Sequence, residues 1–458
     1  MRAFFDNLFS SLWNAAAHRL SKRRLAGGFK VGVQIVDGKI TGQPLYLPEK
    51  KRAEHIVILG KTGCGKSYFL RSLCYSDIKA GRGFVYFDHH GDTTPALLSM
   101  IAAEERRTGR DLSESLIVVR PADPDCVVGF NPLALSGRQQ RFVEIAGITS
   151  VLKDRWGLTT LGAQTEEVLR NSLHVLADNN LTLLEMSALL SNAAFRSRCL
   201  KRVQSEEVRE YFEDRFEPLS EAMKATFRNP VLNKLSEFVS DIHFRHILGQ
   251  AESTFSFSDA LENGKWVLID LSKGKLGKHS ATLASLLFSQ LISAVFRRRS
   301  KQTFSLYCDE IQNLVAADTD IETLLAEARK FAVSVVTANQ FLDQFPKSMR
   351  SAIQAVGTHI GFQVSAEDAP TVAAMLGGGK STAEILKGLP FRHFLMRHGS
   401  FPIVHGRTLN VDAQTVPSGD LTERVLERSA KRREDVEREI RLRKPAKKNT
   451  EENLNDWE

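Results

Sequence analysis

Nowhere does the sequence run to the roughly 18 uninterrupted apolar residues that a membrane-crossing helix needs, so no transmembrane helix is expected. Nor does the N-terminus make a signal peptide, because Asp6, Asn7 and Asn14 break its apolar stretch. Cysteine is scarce: Cys64, Cys74, Cys126, Cys199 and Cys308 are odd in number, scattered and without metal-ligand spacing. That pattern excludes a disulfide framework and a zinc knuckle, and it reads as reduced thiols in a cytoplasmic protein. Internal repeats and low-complexity tracts are also missing.

What remains is a chain of 458 residues, 42% of them hydrophobic, with material for several cores. Its formal charge of +8 permits a polyanionic partner without requiring one. At helical pitch Phe4, Phe5, Leu8, Phe9, Leu12 and Trp13 share one face, and Arg19, Lys22, Arg23 and Arg24 follow. Two readings stand for residues 1–30: a peripheral helix at the inner face of a membrane, or a helix docked on protein.

Alternation from Val31 to Leu47, with turn signals at Asp37-Gly38 and Thr41-Gly42, predicts a β-hairpin. Short apolar strands follow at His55–Leu59, Gly83–Asp88 and Leu116–Arg120, with a helix over Lys66–Lys79 between the first two. This opens a mainly parallel α/β sheet flanked by helices. From 138 to 255 apolar residues recur at three- and four-residue spacing without a clear strand, which predicts an inserted all-α domain. Strands resume at Trp266–Leu271, Phe304–Asp309, Val333–Ala338 and His359–Val364. The sheet domain is therefore expected in two parts, 31–137 and 256–415. Residues 416–458 read as a charged tail, a solvated helix with a frayed end.

Between the strand and helix at 55–79 lies Gly60-Lys61-Thr62-Gly63-Cys64-Gly65-Lys66-Ser67, which fits G-x-x-x-x-G-K-[ST]. Glycines at 60, 63 and 65 let backbone N–H groups point at phosphate oxygens. Lys66 supplies a charge to the β- and γ-phosphates, and the Ser67 hydroxyl is a ligand for Mg²⁺. The helix that starts there adds its positive end. Hydrolysis also needs a metal-holding carboxylate and a base, and Asp309-Glu310 at the end of Phe304–Asp309 supplies both. Asp309 is the expected Mg²⁺ carboxylate and Glu310 the residue that polarises water. Asp88-His89-His90-Gly91-Asp92 puts polar groups at another strand end, read either as a turn or as a metal site. Two basic clusters are candidates for phosphate contact with a polyanion or for solvated surface: Lys273, Lys275, Lys278 with His279, and Arg297, Arg298, Arg299 with Lys301.

In order and spacing these segments resemble the HerA/FtsK-type motor ATPases with a RecA-like P-loop fold, and within them the TraG/TraD-type coupling proteins of conjugation and type IV secretion. The resemblance runs through the loop, Asp88–Asp92, Phe130-Asn131-Pro132-Leu133, Asp270–Gly277, Asp309-Glu310, Glu327–Phe331, Thr337–Gln340 and Val356-Gly357-Thr358. It implies a homo-hexameric ring that hydrolyses ATP with Mg²⁺ to move DNA, and an inserted domain that receives a relaxase or another transfer substrate. Carried over, Lys66, Ser67, Asp309 and Glu310 form the ATPase core. Gln340 is the γ-phosphate sensor and Arg329 a finger that acts on a neighbour's nucleotide. The family's N-terminal membrane helices have no counterpart in this sequence, and His89 stands where the family has proline. Three alternatives stay open: a cytosolic HerA-like DNA-processing translocase, a secretion ATPase for protein export, and a nucleotide-gated docking receptor.

Overall fold

The computed structural model describes residues 28–134, 137–158, 162–316, 321–345, 347–411 and 416–443. The amphipathic helix and basic segment expected at 1–30 lie outside this set, apart from its last three residues. The chain divides into two compact units, one built from 28–120 and 256–428, the other from 121–255 and 429–443.

The first unit carries an eleven-stranded sheet among the described residues. Its strands are β1 (Phe29–Val36), β2 (Lys39–Leu47), β3 (Ile56–Leu59), β4 (Phe84–Asp88) and β5 (Leu116–Val119), then β7 (Trp266–Asp270), β8 (Phe304–Asp309), β9 (Val333–Asn339), β10 (Thr358–Gly361), β11 (His393–His398) and β12 (Val404–Arg407). The second unit contributes β6 (Cys126–Val128) and β13 (Ala430–Arg432). Spatial order in the large sheet is β2-β1-β12-β11-β10-β3-β9-β8-β4-β7-β5. From β10 to β5 every pairing is parallel. The pairings from β10 out to β2 are antiparallel.

Composition explains this division. β3, β4, β7, β8 and β9 read IVIL, FVYFD, WVLID, FSLYCD and VSVVTAN and are buried along their whole length, as strands covered on both faces must be. β2 is exposed over its first six residues, fitting an edge strand. The helix Ser280–Arg297 belongs to the core. The stretch Lys273–Arg297 is long and apolar enough to cross a membrane, but it is largely buried inside the protein.

The order of strands fixes where chemistry can occur. β3 lies between β10 and β9, and the chain leaves it through a helix to reach β4, two strands beyond β9. The carboxyl ends of β3, β9 and β8 therefore sit side by side, in the crevice where open α/β sheets bind ligands. The helix Lys66–Lys79 buries Phe69, Leu70, Leu73, Cys74 and Ile78. Phe69 packs edge-on against Phe362 and Phe394, with ring centroids 5.6 and 5.1 Å away. This anchors the start of the helix to the strands on the far side of β3.

In the second unit helices dominate, among them Arg138–Arg155, Ala163–Asp178, Glu221–Val239 and Ile242–Leu248. Asn131 of the Phe-Asn-Pro-Leu segment is buried and structural. Its amide donates to the carbonyls of Leu181 and Ala251, and its oxygen accepts from the Leu133 N–H. The unit is not purely helical, because β6 and β13 pair as a small antiparallel ribbon.

The expected tail is corrected. Instead of one solvated helix, the structure has two, Gly419–Ser429 and Arg433–Arg443, and they belong to different units. Each buries an apolar pair, Leu421 with Val425 and Val436 with Ile440. Charge density hid these small stripes, since only two residues of each face are apolar.

Candidate functional site

The loop Gly60–Ser67 leaves β3 and turns into its helix through left-handed backbone at Gly63 (φ 77°) and Gly65 (φ 106°). A side chain is strained in that region. Gly60 is needed for space: an added Cβ would lie 2.6 Å from Phe362 Cβ and 2.8 Å from Cys64 Sγ. The loop's base is tied to both neighbouring strands, with Gly60 N–H donating to the Asn339 carbonyl and Lys61 N–H to the Gln363 carbonyl. Lys66 is buried, and its ammonium donates to the carbonyls of Gly60 (2.6 Å) and Lys61 (3.0 Å), which holds it over the loop. Burial raises the pKa of the Cys64 thiol, so this loop cysteine is no thiolate nucleophile.

Two strands away, Asp309 ends β8. The Ser67 hydroxyl donates to its Oδ2 at 3.1 Å, so the two expected metal ligands meet although 242 residues separate them. Burial pushes the Asp309 carboxyl up to about 6, and the adjacent Glu310 charge adds to this; the Ser67 hydrogen bond, His90 and Lys66 act in the opposite sense. A buried carboxylate beside a hydroxyl, short of positive charge, is chemistry that suits a hard cation with oxygen ligands. Mg²⁺ fits these residues.

Glu310 follows in a left-handed conformation (φ 56°, ψ 60°), rare for a residue with a side chain, and its N–H donates to the Ala338 carbonyl at 2.8 Å. Three glutamine amides face its carboxylate. Gln340 Nε2 donates to Oε1 at 2.9 Å, Gln344 Nε2 donates to Oε2 at 3.3 Å, and Gln312 also donates to Oε2. Gln340 in turn accepts the Thr62 hydroxyl at 2.6 Å, so it connects the loop to Glu310. This happens because β9, whose end Gln340 follows, lies between the loop strand and the Asp309 strand. Gln312 and Gln344 were not among the expected residues. No local motif marks them; only the adjacency of β8 and β9 brings them to Glu310.

Other expected residues lie elsewhere. Arg329 sits in a 3₁₀ turn, Ala328–Phe331, just before β9. It is exposed at the opposite edge of the sheet from its own loop, beside a cavity of about 320 Å³ lined also by Glu54, His55, Glu322 and Gly357. Asp88 is a structural carboxylate that accepts the N–H groups of His90, Gly91, Thr93 and Thr94 and so caps the helix Thr93–Thr108. The turn reading of that stretch accounts for these bonds. Among the described residues no group of three or more His, Cys, Asp or Glu is placed to hold a metal.

The basic clusters separate. Lys273, Lys275 and Lys278 are exposed beyond the carboxyl end of β7. Arg297 and Arg299 lie at the other edge, ahead of β8. Arg298 is corrected from a candidate DNA contact to a structural residue: it is 4% exposed, and its guanidinium donates to the carbonyls of Leu261, Phe331, Ala332 and Gln302.

A phosphate loop, a hydroxyl–carboxylate pair and a strained glutamate at adjacent strand ends define a P-loop nucleotide site. The chain belongs to the family described as "Helicase HerA, central domain", whose model matches residues 35–291. Type 4 coupling protein DotL of Legionella pneumophila is 35% identical over 71 residues, 16% of this chain and 9% of DotL. Among solved structures, the unbound conjugative coupling protein TrwB superposes with TM-score 0.62 at 18% identity, covering 88% of this chain and 93% of that one. TrwB in complex with the non-hydrolysable ATP analogue ADPNP gives 0.61 at 18%, covering 88% and 94%. VirB4 of Thermoanaerobacter pseudethanolicus gives 0.57 at 16%, covering 84% and 97%. These likenesses show the fold, which is the α/β P-loop sheet expected from the sequence.

Proposed function

We propose that the protein is an ATP-hydrolysing ring motor that couples DNA, or a relaxase–DNA complex, to a conjugation or type IV secretion system. The observation that carries the hydrolytic part is the Ser67–Asp309 pair beside Glu310, because it completes the loop with the groups that hydrolysis needs. Backbone N–H groups of 60–67 cradle the phosphates, and Lys66 turns its ammonium from loop carbonyls to the β- and γ-oxygens. Ser67 and Asp309 would hold Mg²⁺, which would supply charge neutralisation for the phosphates. Glu310 orients water in line with the γ-phosphorus and accepts its proton, and Gln340 reads the γ-phosphate from between them.

The motor part draws on family membership and on exposed Lys273, Lys275 and Lys278 at the same edge of the sheet. Contacts of this kind are to phosphates and independent of sequence. Arg329, unable to serve its own loop from the opposite sheet edge, acts on the nucleotide of the next subunit in a hexamer.

The test is ATP hydrolysis by wild type, Lys66→Ala and Glu310→Gln, with single- and double-stranded DNA over a salt series. Hydrolysis should fall at least a hundredfold in both variants, and DNA should raise the wild-type rate less as salt increases. A wild-type rate that ignores DNA at low salt sinks the DNA motor. It would favour export of protein or a docking receptor.

A further inference from the structure

We infer that Gln344 is a positioning residue for Glu310, one that ties the turn after β9 to the water-activating carboxylate. The inference rests on the reading of Glu310 as that base.

Gln344 makes contacts at both ends of one amide. Its oxygen accepts two backbone N–H groups, from Gln340 at 2.9 Å and Phe341 at 3.1 Å. Two N–H donors on one side fix which way the amide faces, so its NH₂ group is the end presented to Glu310 Oε2 at 3.3 Å. Gln340 meanwhile reaches Oε1 of the same carboxylate with its own amide and accepts Thr62 of the loop. The result is a closed circuit: Thr62 to Gln340, Gln340 to Glu310, Glu310 to Gln344, and Gln344 back to the Gln340 backbone.

Such a circuit has a mechanical consequence. A free glutamate side chain has several rotamers, and holding one costs entropy that preorganised donors meet in advance. Here both oxygens are held: Oε2 takes donors from Gln312 and Gln344, and of these Gln344 is also bonded to the backbone of Gln340, the residue that holds Oε1. Any shift of the 340–344 turn when Gln340 engages a γ-phosphate must carry Gln344 with it, and so must reposition the carboxylate. Gln344 thus makes the sensor and the base move together.

Two substitutions separate this role from simple capping of the turn. Gln344→Ala removes both functions. Gln344→Glu keeps an oxygen for the two backbone N–H groups but sets a carboxylate against Glu310, where a donor had been. Steady-state ATP hydrolysis and thermal unfolding are measured for wild type, both variants and Glu310→Gln. The expected result is a kcat about tenfold lower for Gln344→Ala and lower still for Gln344→Glu, with KM within about twofold. Rates are compared below the onset of each variant's thermal unfolding, so a loss cannot be ascribed to unfolding.

If Gln344→Glu hydrolyses ATP like wild type, Gln344 is a turn cap only and the inference falls. It also falls if either variant raises KM at unchanged kcat. Wild-type hydrolysis that Glu310→Gln leaves intact would instead overturn the assignment of Glu310 as base, and this inference with it. Turnover that needs Glu310 but ignores both Gln344 variants overturns the inference alone.

Discussion

At the scale of residues, the first unit contains a buried charge cluster apart from the phosphate loop and Asp309. Arg52 is fully buried and clasps Asp77 with two bonds of 2.8 Å, while Ser305 and Tyr307 also accept from it. Burial alone would push the Asp77 carboxyl up, yet the Arg52 guanidinium holds it below the usual carboxylate range. Removing one partner of such a pair leaves the other charged and poorly compensated, at a cost of about 3–5 kcal/mol. Arg52→Ala should therefore lower Tm by on the order of 10 °C. A variant that melts with wild type would show that Arg82, which also donates to Asp77, suffices. Arg298 should behave alike: Arg298→Ala strands four carbonyls, so it should cost stability and leave any DNA-stimulated rate of the folded protein unchanged. A selective loss of DNA response would reverse its correction.

How much of the site could be read from the sequence also turns on particular residues. That Lys66, Ser67, Asp309 and Glu310 come together was legible because each lies in a contiguous segment of recognisable spacing at a strand end. Arg298 was not, because within Arg297-Arg298-Arg299 nothing marks which guanidinium turns inward. Gln312 and Gln344 were invisible for another reason: their meaning depends on which strands are neighbours.

At the scale of elements, the loop depends on what rests against it. Gly60 has no room for a methyl group beside Phe362, and overpacking there costs about 1–3 kcal/mol. Gly60→Ala should therefore weaken nucleotide binding more than it lowers Tm, measured by titration with an ATP analogue. Equal affinity would mean that the loop yields without losing its shape. The hairpin and the parallel strands were legible from alternation and buried apolar runs. β11 and β12 were missed, because short strands holding His393, Arg397, His398 and Arg407 do not look apolar.

The helix Arg433–Arg443 gives a pH prediction. Hydrogen bonding from Arg245, helped by Arg441 and His246, pulls the Glu437 carboxyl down to about 2. A depressed folded-state value stabilises above the unfolded carboxylate range, and that stabilisation is lost as pH falls from about 4.5 toward 2. The Tm difference between wild type and Glu437→Gln should accordingly be largest near pH 6, narrow as pH drops through 4 to 3 and close toward 2. A constant gap across that range would assign the stabilisation to packing of Val436 and Ile440.

At the scale of the whole molecule, the position of Arg329 allows an argument about assembly. Strand direction puts it at the amino edge of β9, while Lys66, Ser67 and Asp309 lie at the carboxyl edge of the same parallel sheet. No rotamer carries a side chain through a buried sheet, so if Arg329 takes part in hydrolysis it does so on another copy. A head-to-tail interface is the arrangement that brings opposite edges of two copies together, and repeated around an axis it closes a ring where the rotation divides the full turn evenly. Lys66→Ala and Arg329→Ala should each abolish turnover alone, because every interface in either ring lacks one half. Mixed one to one and allowed to exchange subunits, they should recover activity. About one interface in four then joins an intact loop to an intact arginine. Hydrolysis measured against mixing ratio should peak near equal proportions and vanish at both ends. If no ratio restores turnover although the subunits exchange, Arg329 does not complete a neighbour's site, and the arginine that does must be sought elsewhere in the chain.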